Sequence, residues 1–151
     1  MKNDKTDNHE QLFWEEIDRL FPDMIKAIAS LSKKSYLSIT NLRTGITWWS
    51  ERAMDYFGMK ENYTIRGMEK ANRKIHPDDV ATFKRGFKER VDGKNLDTAW
   101  EYRIQDGDSY NRFNAMARVL YDEQKQPFII IIRYDNYGIS DEVDSVTGLY
   151  T

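Results

Sequence analysis

From Gln11 onward the apolar residues recur at steps of three and four: Leu12, Phe13, Ile17, Leu20, Phe21, Met24, Ile25, Ile28 and Leu31. That spacing is the period of one helix face. Pro22 interrupts it. Proline suits a first helical position, and Asp23 then meets the positive end of the helix dipole. The pattern predicts two helices, over 10–21 and 22–33, meeting at a bend. Their apolar face either covers the domain's own sheet or pairs with a second copy. At Tyr36 the period drops to two. Tyr36–Thr40 alternates, Asn41–Gly45 is turn chemistry, and Ile46–Ser50 returns as the second strand of a hairpin. A short helix over 51–57 follows, closed by Gly58 as a left-handed cap. Residues 61–75 are weakly patterned and read as helical.

In Ile75-His76-Pro77-Asp78-Asp79-Val80 a proline again stands at a helix start with carboxylates behind it. A helix is predicted from Pro77 to Val91, with Val80, Phe83 and Phe87 on one face and Asp92-Gly93 as its stop. The remainder is strand-rich. Trp100, Tyr102 and Ile104 alternate with Glu101, Arg103 and Gln105 before the turn at Asp106-Gly107. Tyr110–Tyr121 is a long strand with Phe113, Ala115, Ala117 and Val119 on one face. Pro127–Tyr134 is nearly all apolar, as a strand covered on both faces would be. The predicted fold class is α+β. Its five-stranded antiparallel sheet ends in a three-strand meander, with helices on one face and an N-terminal helical extension.

Composition narrows the classes. The 151 residues suffice for one domain with a real core. Aromatic residues make up 13 % of the chain, so that core should be rich in rings. With 23 basic and 25 acidic residues the net charge is −2, and no basic stripe interleaved with aromatics suggests nucleic acid. The absence of cysteine removes disulfides, cysteine-ligated metals and thiol nucleophiles, and fits a cytoplasmic location. No apolar run approaches the roughly 20 residues of a membrane span, so no membrane association is expected.

The order of elements resembles the PAS fold, and four phrases in sequence carry the likeness. They are WSERAMDYFG over 49–58, IHPDDV over 75–80, EYRI over 101–104, and Asp106-Gly107. The resemblance covers about residues 35–135. Phe113 stands where that branch of the family usually carries Trp. Further on, DSVTGL over 144–149 is similar to the opening line of GGDEF domains, Asp-x-Leu-Thr-Gly-Leu: Asp144, Thr147, Gly148 and Leu149 match, and Val146 replaces Leu. The residue pattern gives a disordered tail over 1–9 and a helical cap over 10–34, and the resemblances imply a PAS domain over 35–135 and a linker with the first GGDEF residues over 136–151. They imply a cytoplasmic sensory and dimerisation domain, without catalysis of its own, that regulates a diguanylate cyclase making cyclic di-GMP from two GTP. The alternatives are a GGDEF-EAL phosphodiesterase and a ligand-free dimerisation module. A homodimer is expected in each case. The nine residues Asp135–Val143 before the phrase are a short linker; Asn136 and Gly138 read as breakers, with a helical turn from Ser140.

PAS pockets lie between the sheet and the middle helices. The residues placed to line one here are Trp49, Phe57, Met68, Phe83, Trp100, Tyr102 and Phe113. Two states stay open, a filled aromatic core without ligand and a small organic ligand held by aromatic walls and a few polar groups. Covalent flavin photochemistry in PAS domains uses a cysteine, which is absent. Haem-binding PAS domains use a histidine on the long helix, whereas His76 precedes it in a phrase common to the family; this argues against haem. His76 with Asp78 and Asp79 reads as a helix start rather than a metal or acid–base site, and no metal is expected.

Overall fold

A computed structural model describes residues 4–20, 23–31 and 35–140. In chain order it contains α1 (Asp4–Leu20), α2 (Met24–Leu31), β1 (Tyr36–Asn41), β2 (Ile46–Trp49), α3 (Glu51–Phe57), β3 (Tyr63–Ile65), α4 (Gly67–Asn72), a 3-10 turn (Pro77–Asp79), α5 (Val80–Val91), β4 (Trp100–Asp106), β5 (Ser109–Tyr121) and β6 (Pro127–Ile139). The strands form one antiparallel sheet in the order β3-β2-β1-β6-β5-β4.

The sheet has six strands, not five. Residues 63–65, read from sequence as helical, pair with β2 in the register Ile46↔Ile65, Thr47↔Thr64 and Trp48↔Tyr63. Three residues are too few to show a strand period. Contact with the neighbouring strand decides instead: the Trp49 indole Nε1–H donates to Thr64 Oγ1 at 2.7 Å, a buried bond that anchors the strand. The first helix starts at Asp4, where a disordered tail was expected, and the strand expected to end near Tyr134 runs on to Ile139. Asn136 and Gly138 do not stop it. The 13-residue β5 continues to offer ladder partners, Phe113↔Asn136 and Asn111↔Ile139, and a bulge between them absorbs an extra residue of β6 near Gly138, whose φ is +89°. The predicted 22–33 helix begins at Met24; Pro22 lies outside the described residues.

The β1–β2 turn forms as its residues suggest. Asn41 Oδ1 accepts from the backbone N–H groups of Arg43 (3.0 Å) and Thr44 (3.3 Å), and Gly45 takes φ +73°.

Two apolar layers lie on opposite faces of this sheet. On one, Phe13 and Ile17 of α1, both fully buried, pack with Leu37, Ile39, Ile46, Trp48, Phe128 and Ile129. The α1 face therefore covers the chain's own sheet. Trp14 Nε1–H donates to the Tyr63 hydroxyl at 2.6 Å, and Asn41 Nδ2 donates to the Phe13 carbonyl at 3.4 Å. The other layer joins Trp49, Phe57, Phe83, Trp100, Tyr102, Phe113, Ile130, Ile132 and Tyr134 beneath α3, α4 and α5.

α5 sits close because Gly86 faces Trp100. A β-carbon there would fall 2.8 Å from Cδ1 and 2.9 Å from Nε1 of that indole. The ring cannot easily retreat, since the Arg90 guanidinium lies over it at 4.1 Å. Helix propensity alone would favour Gly86→Ala by about 1 kcal/mol. Overpacking should reverse the sign, and we expect Gly86→Ala to destabilise by about 1–3 kcal/mol, read from the urea midpoint. A stabilised variant would mean that Trp100 moves freely.

Candidate functional site

The helical side of the sheet is organised by its caps. Ser50 Oγ accepts from the N–H of Ala53 at 3.2 Å, starting α3, and from the N–H of Leu37 at 3.1 Å, tying that start to β1. Gly58 ends α3 with φ +71° and directs its N–H back to the helix carbonyls. This places Phe57 under the sheet, 5.6 Å from the ring of Tyr134.

The segment 74–79 is seated on the edge of β4. His76 N–H donates to the Arg103 carbonyl at 2.9 Å, Gln105 N–H donates to the Lys74 carbonyl at 2.7 Å, and Ile75 bridges to Ile104. The Asp79 carboxylate accepts from Arg103 three times: from the backbone N–H at 2.9 Å, Nε at 2.8 Å and Nη2 at 3.0 Å. Those bonds hold the Asp79 carboxyl below the usual carboxylate range, against the opposing effect of burial. His76 Nδ1 accepts from the Asp78 N–H at 3.1 Å, so the histidine caps the turn. Among the described residues no group of three His, Asp or Glu is placed to hold a metal ion.

Between these supports a small cavity lies under α4. Its walls are Phe57, Met68, Ala71, Asn72, Ile75, Phe83, Tyr102, Ile104 and Tyr134. Its free space is ≈ 10 Å³ for water-sized occupants, about the least that holds one water. A flavin- or haem-sized group does not fit unless α4 moves. Burial pushes the phenols of Tyr102 and Tyr134 well above the ordinary tyrosine range, so both stay protonated. The Tyr134 hydroxyl hydrogen-bonds with Ser38 Oγ at 3.0 Å. The Tyr102 hydroxyl and Asn72 Oδ1 are buried without a partner.

Of the residues placed from sequence, Phe57, Met68, Phe83 and Tyr102 meet at this cavity. Trp49, Trp100 and Phe113 belong to the same core but are not among its walls. Trp49 is turned to Thr64, Trp100 is held between Gly86 and Arg90, and Phe113 packs against Tyr36 (5.8 Å) and Tyr56 (5.2 Å). Sequence reasoning passed over Asn72, Ile75, Ile104 and Tyr134. No local pattern marks Asn72, whose unpaired oxygen emerges only from packing. Arg103 lies outside this cavity. It is spent on Asp79, while Arg112 Nε lies 3.2 Å from Glu101 Oε1 on the exposed face. Asp144, Thr147, Gly148 and Leu149 lie outside the described residues. A larger depression of ≈ 470 Å³ opens between the start of β1 and the end of β6. Its Arg133 and Asp135 pair at 3.2 Å, so the smaller cavity under α4, whose lining residues Tyr102 and Asn72 carry unpaired polar atoms, is the better candidate.

An antiparallel sheet in this order, with short helices roofing a pocket on one face, is the architecture of a PAS domain. The model of the PAS-fold family matches residues 46–132, and the chain belongs to that family. Among solved structures it resembles a sensory box histidine kinase/response regulator from Burkholderia thailandensis E264. The TM-score there is 0.59 at 16 % identity, over 82 % of this chain and 90 % of that one. It also resembles the N-terminal domain of a diguanylate cyclase with PAS/PAC sensor from Marinobacter aquaeolei. That match has a TM-score of 0.55 at 14 % identity, over 69 % of this chain and 95 % of the other. At these identities the likeness is one of fold. No curated protein matches the sequence.

The Asp79–Arg103 clamp has a defined pH signature. The carboxyl pKa is lower folded than unfolded, so the unfolded chain binds the proton first as pH falls. The clamp's contribution is complete above the ordinary carboxyl range and is lost as pH drops through the folded value. Asp79→Ala should cost about 1.5–3 kcal/mol at neutral pH. Denaturant titrations should show that gap closing in acid; a gap independent of pH would assign the loss to packing.

Proposed function

We propose that this chain is a sensory domain whose dimer geometry controls a diguanylate cyclase. Membership of the PAS family supports the sensory part. One further observation carries the output: the phrase DSVTGL over 144–149, GGDEF-like in Asp144, Thr147, Gly148 and Leu149, follows the last strand after a handful of residues. Cyclases of that family work as face-to-face pairs, so a short connection can transmit the orientation of paired sensors where a long flexible one would lose it. Any signal must bind the two pair arrangements unequally to shift them. In this reading the domain is a cytoplasmic homodimer without catalysis of its own. Among the described residues no helix is long and apolar enough to cross a membrane. Leu12 and Leu31, 39 % and 88 % exposed, are surface available to a second copy.

β6 delivers the chain to Ser140, where the connection starts. Insertions of one to four residues after Ser140 in the full-length protein should change cyclic di-GMP output periodically with insertion length. Output indifferent to length would make the connection a passive tether. Net breakdown of cyclic di-GMP by the full-length protein would favour a phosphodiesterase.

A further inference from the structure

A further depression, of ≈ 440 Å³, lies at the β3 edge of the sheet, bordered by α1, the loop after α3, β3 and α4. Its volume is that of a small-molecule site. Its charged walls are Lys60, Lys70 and Glu61, two positive against one negative, and His9 of α1 joins them. Both lysines are exposed, and neither makes an ion pair or side-chain hydrogen bond among the described residues. Other cations of the domain are engaged. Lys74 Nζ donates to the Tyr56 carbonyl at 3.2 Å, and Arg112, Arg118 and Arg133 lie 3.2–3.3 Å from Glu101, Asp97 and Asp135. His9 Nδ1 is shielded from solvent and has no hydrogen-bond partner.

The strand adds a donor. Trp49 N–H donates to the Asn62 carbonyl at 2.8 Å, and Arg66 N–H donates to the Gly45 carbonyl at 3.1 Å. By the alternation of an antiparallel ladder, Ile65 then turns its N–H away from β2 to the free edge. The Ile65 side chain lines the same depression with Met59 and is 44 % exposed. These walls select the occupant. A cation would meet two lysines, and a neutral molecule would gain nothing from them. An anion gains from both lysines and from the edge N–H, and a short apolar body attached to it would cover Met59 and Ile65.

We propose that this depression binds one small organic anion. Its carboxylate or phosphate group is held by Lys60, Lys70 and the Ile65 N–H, with His9 closing the α1 side. α1 packs on one face of the sheet and α4 on the other, so occupancy joins the two layers around the β3 edge. The binding stands apart from the sensory reading; only its consequence for signalling rests on that reading.

The test titrates the 151-residue chain by ¹H–¹⁵N NMR with butyrate, butyl phosphate and, at the same ionic strength, butanamide. At least one of the two anions should shift the amides of residues 58–61, Ile65 and Lys70 saturably, and the tighter of the two identifies the head group. Butanamide should not, and added salt should weaken the anion. Lys60→Gln and Lys70→Gln, both at exposed positions, should each weaken binding about two- to fivefold, and the double variant about tenfold. Lys94→Gln, exposed but remote in the fold, should leave it unchanged. Absence of a saturable shift with either anion, equal shifts with butanamide, or unaltered affinity in the double variant overturns the proposal. These readouts concern binding alone, whereas the insertion series reads cyclase output, so either idea can fail without the other.

Discussion

Burial of β6 on both faces is the constraint from which the architecture follows. Phe128, Ile129, Ile130 and Ile132 are all at 0 % exposure. One strand cannot hide both of its faces. It sits between β1 and β5, Ile130 and Ile132 turned to α3–α5 and Ile129 to α1. Each buried aliphatic side chain of this kind contributes about 1.5–3 kcal/mol. Either helical layer, removed, would expose part of that surface, so α1 covers the second face of the same sheet.

A sheet with a saturated centre still has edges that offer unpaired backbone groups. Here the edges are handled differently. β3 is only three residues long. β4 is covered by 74–79, and Asp79 turns the Arg103 backbone N–H and guanidinium into one clamp. The phrase IHPDDV thus serves twice. Its histidine and proline start a helix, and its isoleucine and second aspartate close a sheet edge. The clamp also sets where α5 lies, hence where Phe83 meets Tyr102, with ring centroids 4.9 Å apart.

The cavity lies beside the most closely fitted of the short helices. α4 begins at Gly67, where a β-carbon would fall 2.2 Å from Thr64 Oγ1, so the helix is pressed onto the Trp49–Thr64 bond at one end. At its other end Asn72 turns its carboxamide oxygen inward with nothing to receive. A helix of six residues has little internal hydrogen bonding to hold it. Its position depends on these side-chain contacts.

Period and turn chemistry in the sequence determined the strands at 36–40, 46–50, 100–105 and 110–121, the helix at 51–57, the helix from Pro77 to Val91, which opens as a 3-10 turn over Pro77–Asp79, and the aromatic core. Each of these is set by neighbours in the chain: alternation for strands, three-and-four spacing for helices, Ser50, Gly45 and Gly58 for their ends. The phrases at 49–58 and 75–80 were legible for the same reason. Only the tertiary structure decided that 63–65 is a strand, because its partner β2 and the Trp49–Thr64 bond are remote from any local period. It alone carried β6 through Asn136 and Gly138, since a long β5 was there to pair with them. It also separated Trp49, Trp100 and Phe113 from the cavity and brought in Asn72 and Tyr134. Local pattern gives the face on which a side chain stands. Which ring fills the space before another, and which polar atom is left unpaired, depends on packing between elements distant in the chain.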